Sequence, residues 1–328
     1  MNQIIQILPL RTVLFIINLT LASVCVTQLA ATEQTDMTMN KSTQLVVDLS
    51  QSGIPLTPFW KSTGYSPGPI ALRDDMQQTL DWIGAMAGNG IEYIRPHYML
   101  DLIAVEGIET EFPKYNWTRL NKVLDAHVQN DLKMIFELMG YPSTDLDKLG
   151  GIYDDAFQKR KSGAPSFFSD FSTDEQLHAW KRLVRDLARH CINRYGAEVV
   201  RSWYFETWNE PNHPKFWPHG IEAFKNYYDA CSEGLKEADP EISLGGPGTV
   251  GRLGPGSWGV KIVEHAVNGT NYFTGEEGTR MDFISFHIKA LPDEMLLKTE
   301  MSQETLAAFP DLKGTPIFND ESDPFWGW

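Results

Sequence analysis

Cysteine is scarce in this chain, three residues in 328, which excludes a disulfide-stapled scaffold and any thiolate metal cluster. Cys25 falls in an amino-terminal apolar stretch. Cys191 and Cys231 each lie on the apolar stripe of a predicted helix without His or Cys company, so two buried free thiols are expected, a single bridge being the alternative. Basic residues are also in deficit. The 28 Lys and Arg against 43 Asp and Glu leave a formal charge of −15, which excludes a broad nucleic-acid or anionic-membrane surface. An anionic ligand would have to be held by a local positive site. No long unbroken apolar run is present: the stretch from Val13 to Val26 is interrupted by Asn18 and Thr20 and is short for a membrane span. Preceded by Arg11 and followed by Ala30 and Ala31, it reads as an export signal cleaved near residue 31, with a retained amphipathic anchor as the other reading. Ala22, Ser23 and Val24 before Cys25 fit poorly with lipid attachment. Nucleotide-binding signatures are missing too, since no GxGxxG follows the first strand and LGGPG at 244–248 is not a Walker pattern.

What is there is alternation. Residues 1–31 form the expected signal, 32–50 a polar linker or edge segment, and 51–328 a single domain. Within it, strand-like runs at 57–67, 91–97, 132–140, 203–208, 242–248, 282–289 and 316–319 are separated by helical patterns, giving seven strands and six intervening helices. Thr173 with Gln176 makes a candidate capping box before the helix face Leu177, Trp180, Val184, Leu187, Cys191 and Tyr195. A Gly-, Ser- and Asp-rich loop runs from 140 to about 172, a length usually functional or mobile. Strict alternation favours an α/β fold with a parallel sheet. With no dinucleotide fingerprint, a (β/α)8 TIM-type barrel is expected over a doubly wound sheet. The chain ends just past the seventh strand, so the barrel is expected to be truncated at its carboxyl end, lacking its eighth strand and last helices and leaving two strand edges unpaired.

Two strands run into carboxylates. WYFETWNEPNHP (203–214) stops at Asn209, Glu210 and Pro211, and PIFNDES (316–322) at Asn319, Asp320 and Glu321. A solvated loop glutamate beside turn residues is one reading of Glu210. A second acid in the same setting points instead to paired-carboxylate chemistry at the carboxyl-terminal rim of a barrel, where the fourth and seventh strands face each other. Cleavage of a glycosidic bond needs such a pair, one acid to protonate the leaving oxygen and one carboxylate to meet the anomeric carbon or activate water. A gap of roughly 5 Å implies retention and one of about 7 Å or more inversion. The sixth strand shows the clearest parity: Ile284, Phe286 and Ile288 share an outer face, while Ser285, His287 and Lys289 share an inner, polar one. The second strand repeats it with Tyr93, Arg95 and His97. Adjacent Asn209 and Glu210 can both reach one pocket only if their strand ends or bulges there. Asn40, Asn116 and Asn268 begin glycosylation-type triplets.

FETWNEPN (205–212), NYYDACSEGL (226–235), LGGPG (244–248), GTNYFTGEEG (269–278) and PIFNDESDPFWGW (316–328) together resemble glycoside hydrolase family 39; FWKSTGY (59–65) and RPHYML (95–100) agree, so the likeness runs from about residue 45 to the end. The resemblance implies Glu210 as general acid/base, Glu321 as nucleophile and Asn209 bonded to a sugar 2-hydroxyl. Lys289 would face a uronic-acid carboxylate, with His97, Gly327 and Trp328 shaping the pocket. Arg95 and His287 are expected to hold the catalytic carboxylates. Lys289 also fits a rim salt bridge, His97 a hydrogen-bonded core histidine, and Trp328 core packing. The implied reaction is exo-cleavage of terminal α-L-iduronic acid from glycosaminoglycans of the dermatan or heparan sulfate type, by double displacement. A β-D-xylosidase, or an inactive carbohydrate-binding protein, is the alternative. Neither metal nor cofactor is implied. The expected partner is a uronic-acid-containing glycan, without nucleic acid or, once the signal is removed, membrane. The export signal implies a periplasmic or extracellular location in a bacterium and a lysosomal or secreted one in a eukaryote.

Overall fold

The computed structural model describes residues 60–86, 90–142 and 167–323. The expected signal (1–31), the linker (32–50), most of the long loop after residue 140, and Gly327 and Trp328 lie outside them.

Seven strands make one sheet: β1 (Ser62–Tyr65), β2 (Tyr93–Pro96), β5 (Lys133–Glu137), β6 (Tyr204–Glu206), β7 (Ser243–Val250), β8 (Phe283–His287) and β9 (Ile317–Asn319). Each pairs in parallel with the next in that order. Sequential order without reversal is barrel winding, not the doubly wound alternative. The expected alternation is therefore present, with two additions among the described residues, a five-residue helix at Ala197–Arg201 and a hairpin. The hairpin of β3 (Ala104–Glu106) and β4 (Lys114–Asn116) comes after β2; three-residue strands are too short to show a period.

The sheet is strongly curled. The rings of Tyr204 on β6 and Phe318 on β9 are 5.0 Å apart, although three strand spacings in a flat sheet would separate them by about 14 Å. Arg95 on β2 and Glu321 beyond β9 meet at 3.0 Å, where a flat sheet would put about 24 Å between them. Alternation explains what each face holds. Outward side chains such as Ile94, Met134, Phe136, Phe205, Leu244, Ile284 and Phe286 are sealed in the core beneath the helices. Inward, Tyr93, Tyr204, Phe283 and Phe318 form an aromatic floor, each ring within 5.3 Å of another. Above that floor the same faces turn charged, with Arg95, Glu137, Glu206, Ser285 and His287 all buried.

Helices α1 (Asp74–Gly84), α2 (Thr118–Gln129), α3 (Asp174–Tyr195), α4 (Ala197–Arg201), α5 (Gly220–Ala238), α6 (Trp258–Asn268) and α7 (Pro292–Leu306) cover the outer face. Among the described residues, no helix is long and apolar enough to cross a membrane. α3 begins at Thr173, whose hydroxyl accepts from Gln176 N at 3.3 Å, but the Gln176 side chain bonds Ser169 instead of returning, so half of the expected box forms. Leu177, Trp180, Val184, Leu187 and Cys191 on its apolar stripe are buried against α5. Cys191 and Cys231 are free and buried, with Trp180 Nε1 donating to Cys231 Sγ at 3.2 Å. Burial pushes both thiols up to about 12, so neither is a nucleophile at neutral pH.

α3 and α5 approach closely at Gly234, where an added Cβ would stand 2.6 Å from the Lys181 carbonyl oxygen. Alanine gains about 1 kcal/mol of helix propensity, but the obstruction is backbone and cannot rotate away, and overpacking costs about 1–3 kcal/mol. Gly234→Ala is expected to lower the denaturant midpoint with an unchanged slope; a raised midpoint would contradict this helix contact.

Candidate active site

The inward face of β6 ends at Glu206, and the chain beyond it departs from strand geometry. Trp208 and Glu210 both take left-handed backbone angles, φ +43° and +47°, a conformation costing roughly 1–3 kcal/mol per residue. The surroundings hold it in place. Thr207 N donates to Gly245 O at 3.0 Å and Glu210 N to Gly248 O at 2.9 Å, while the Trp208 indole donates to Phe216 O at 3.0 Å. Gly248 is required there: its φ is +59°, and a Cβ would meet Glu206 Oε1 at 3.1 Å and Trp208 O at 3.2 Å. Asn209 Oδ1 thereby accepts from Arg95 Nη2 at 3.3 Å, and Glu210 Oε1 meets His287 Nδ1 at 3.1 Å. Adjacent residues face one pocket because the strand breaks, as their spacing demands.

Arg95 is the hub. Its Nη2 reaches Glu137 at 2.6 Å, its Nε reaches Glu206 at 2.6 Å and Asp320 at 3.4 Å, and its Nη1 reaches Glu321 at 3.0 Å. Burial opposes its charge, but these carboxyl groups outweigh burial and hold the guanidinium fully protonated. His97 bridges Glu137 (Nδ1, 2.7 Å) and Glu321 (Nε2, 3.2 Å). Burial favours the neutral ring; the charge of Glu137 and hydrogen bonds to Glu137 and Glu321 raise its pKa to about 9.

Glu321 thus sits in a positive collar, with Arg95 and His97 on Oε1 and Lys289 Nζ on Oε2 at 2.7 Å. Burial would raise its pKa, yet the His97 hydrogen bond, the positive fields of His287 and Arg95 and the Lys289 hydrogen bond hold it far below the ordinary carboxylate range. Glu321 is ionised. Lys289 also reaches Asp323 at 3.3 Å, and burial, which would lower its pKa, is outweighed by these two carboxylates. One carboxylate oxygen each from Glu210 and Glu321 and a ring nitrogen of His287 lie within 4.8 Å of one another. Such a trio could gather round a cation, but the positions a cation would neutralise already face Arg95, His97 and Lys289. It is better described as a close carboxylate pair flanked by protein cations.

The structure brings Glu210, Glu321, Asn209, His97, Lys289, Arg95 and His287 into one cluster; Gly327 and Trp328 lie outside the described residues. Sequence reasoning passed over Glu137 and Glu206, paired in register on adjacent strands, and gave Asp320 no role. A signal existed: MIFEL and YFETW each place one carboxylate on the inward face of an otherwise apolar strand.

Parallel β/α units wound in barrel order, with two carboxylates closing on each other at the carboxyl ends of strands, define a paired-carboxylate barrel site. The chain belongs to glycosyl hydrolases family 39, whose sequence profile matches residues 43–328. It is 41% identical over 298 residues to the α-L-iduronidase of Mus musculus, covering 86% of this chain and 43% of that protein. It is 26% identical over 260 residues to the β-xylosidase of Caldicellulosiruptor saccharolyticus, covering 77% and 47%. A solved structure of a bacterial orthologue of human α-L-iduronidase superposes with a TM-score of 0.71 at 33% identity, over 85% of this chain and 43% of that one. The chain therefore spans less than half the length of these relatives.

His97 gives the site a pH signature. Its folded pKa of about 9 lies above the roughly 6.5 of an unfolded histidine, so its contribution to stability is complete below about pH 6.5 and is lost as pH rises through 9. The melting-temperature advantage of the wild type over His97→Asn should shrink across that window. A constant difference would contradict a charged His97.

Proposed function

We propose that this chain hydrolyses O-glycosidic bonds with retention of configuration, releasing terminal α-L-iduronic acid from a glycosaminoglycan. The observation that carries the reading is the close approach of Glu210 and Glu321, with carboxylate oxygens within 4.8 Å. That spacing is on the scale of the roughly 5–5.5 Å of retaining pairs and short of the roughly 6.5–9.5 Å that inversion requires. The environments sort the roles. Glu321, ringed by Arg95, His97 and Lys289, is the nucleophile. Glu210, whose nearest polar neighbour is the His287 imidazole at 3.1 Å, protonates the glycosidic oxygen as Glu321 bonds to the anomeric carbon. It then takes a proton from water, which releases the sugar from the ester. With Oδ1 turned to Arg95, the amide of Asn209 presents N–H groups, the donors a sugar 2-hydroxyl needs. Lys289, on the rim at 18% side-chain exposure, offers a point charge to a uronate carboxylate. The interrupted apolar segment at 13–26 supports an exported protein.

A second reading, cleavage of β-D-xylosides, is favoured by the pairing of Lys289: Glu321 and Asp323 already satisfy it without a sugar carboxylate. The relatives at 41% and 26% identity carry one activity each in their names, and Lys289 separates them. Lys289→Met should lower kcat/KM on an aryl iduronide at least about tenfold more than on an aryl xyloside, the scale of one hydrogen bond to a charged group. Equal losses would assign Lys289 to Glu321 alone.

Catalytic roles are tested with the same substrates. Glu321→Gln should abolish turnover. Glu210→Gln should cost about 10²- to 10⁴-fold with a poor leaving group and far less with an activated one, and the first product seen by NMR should keep the substrate's anomeric configuration. An inverted first product, or equal losses on good and poor leaving groups, would overturn the assignment.

A further inference from the structure

Beneath the two glutamates lies another carboxyl pair that the reaction does not touch. The side chains of Glu206 and Asp320 are 0% and 1% exposed, and their surroundings are unequal. Glu206 accepts from Arg95 Nε at 2.6 Å and from the Ser285 hydroxyl. Both oxygens of Asp320 are buried with no hydrogen-bond donor among the described residues. Arg95 Nε and His287 Nε2 each stand 3.4 Å away, without hydrogen-bond geometry. A buried carboxylate deprived of donors is costly. A carboxylic acid in the same place is not, because its O–H has an acceptor beside it in the Glu206 carboxylate, the two acids converging on one Arg95 nitrogen at 2.6 and 3.4 Å.

We propose that Asp320 is a carboxylic acid that donates its proton to Glu206, and that this shared proton makes Asp320 a positioning residue for the nucleophile beside it. The role rests on the glycosidase reading above; the shared proton does not. The groups facing Asp320 are Arg95 from β2, Glu206 from β6, His287 from β8 and its chain neighbour Glu321. Arg95 already serves three other carboxylates, Glu137, Glu206 and Glu321. An ionised Asp320 would add a fourth negative charge around that guanidinium, one residue from Glu321, and compete for Arg95. Burial first, and then the charge of Glu206, push the Asp320 carboxyl up against the pull of Arg95, whereas Arg95 and the hydrogen bonds keep Glu206 down despite burial. The pair titrates as a unit carrying one proton.

Infrared spectroscopy reads the proton directly, and a Glu210→Gln background removes the catalytic acid from the spectrum. At neutral pH that variant should show a buried carboxylic-acid carbonyl band, and adding Asp320→Asn should remove it. An unchanged band overturns the proposal. If the double variant does not fold, absence of any such band in Glu210→Gln alone also overturns it. In the otherwise wild-type chain the sign of the pH dependence gives a second reading. A raised acid pKa costs stability as pH climbs above the unfolded value of about 3.9, and Asn escapes that cost. The melting temperature of Asp320→Asn minus that of wild type should therefore grow from about pH 4 to about pH 8; a flat or falling difference overturns the proposal. A chain with no glycosidase activity but with the band present would remove the positioning role and leave the shared proton.

Discussion

One guanidinium ties this site together. Arg95 contacts carboxyl groups carried on β5, β6 and the segment after β9, drawing together strands that a flat sheet would keep far apart. The geometry needs arginine rather than lysine, because a planar fork with five donors can serve several acceptors in fixed directions where an ammonium acts as a point. Taking such charges out of water is expensive, and the arrangement holds only as a set: removing one partner of a buried ion pair typically costs about 3–5 kcal/mol through the charge left behind. The aromatic floor below and the charged layer above are therefore parts of one construction. Rings from β2, β6, β8 and β9 fill the lower part of the curl, and Arg95 fills it beneath Asn209 and Glu321.

A β-strand sends neighbouring residues to opposite faces, yet this pocket receives neighbours twice. Asn209 and Glu210 arrive together, and so do Asp320 and Glu321. The chain solves the problem differently in the two places. After β6 it adopts left-handed angles at Trp208 and Glu210, held by backbone bonds to β7 and by the close fit against Gly248. After β9 the strand simply ends at Asn319, whose amide bonds Ile288 N and O at 2.8 and 3.2 Å and fastens the strand end to β8. Glu210 is thus carried on strained backbone and Glu321 beside a side-chain clamp.

Much of this could be read in the chain. Period-two alternation on β8 put Ser285 and His287 on the inner face and Ile284 and Phe286 on the outer, where the structure has them, and helix stripes such as Leu177 to Cys191 are buried as their spacing demands. Acids at the ends of apolar strands marked Glu210 and Glu321. The interior network was less visible, since Glu137 and Glu206 interrupt strands that otherwise look like plain core, and only curling the sheet reveals that Arg95 lies within reach of both. The pairing of β3 with β4 and the left-handed turn at Trp208 depend on tertiary contacts to hairpin and aromatic neighbours, which no local pattern encodes.

The difference between the two glutamates is set by β8 as much as by the residues themselves. His287 ends that strand and Lys289 lies two residues beyond it; His287 Nδ1 stands 3.1 Å from Glu210 and 3.8 Å from Glu321, and Lys289 Nζ reaches Glu321 at 2.7 Å. Extended chain rises about 3.3 Å per residue, so those two side chains are spaced by roughly 6.6 Å at their roots, enough for Lys289 to serve Glu321 while His287 stands between the two glutamates, nearer Glu210. Lysine brings a charge, and Arg95 and His97 add to it on the same carboxylate, whereas an imidazole stands beside Glu210. Two chemically identical side chains thereby acquire unlike surroundings from the order of residues at the end of one strand.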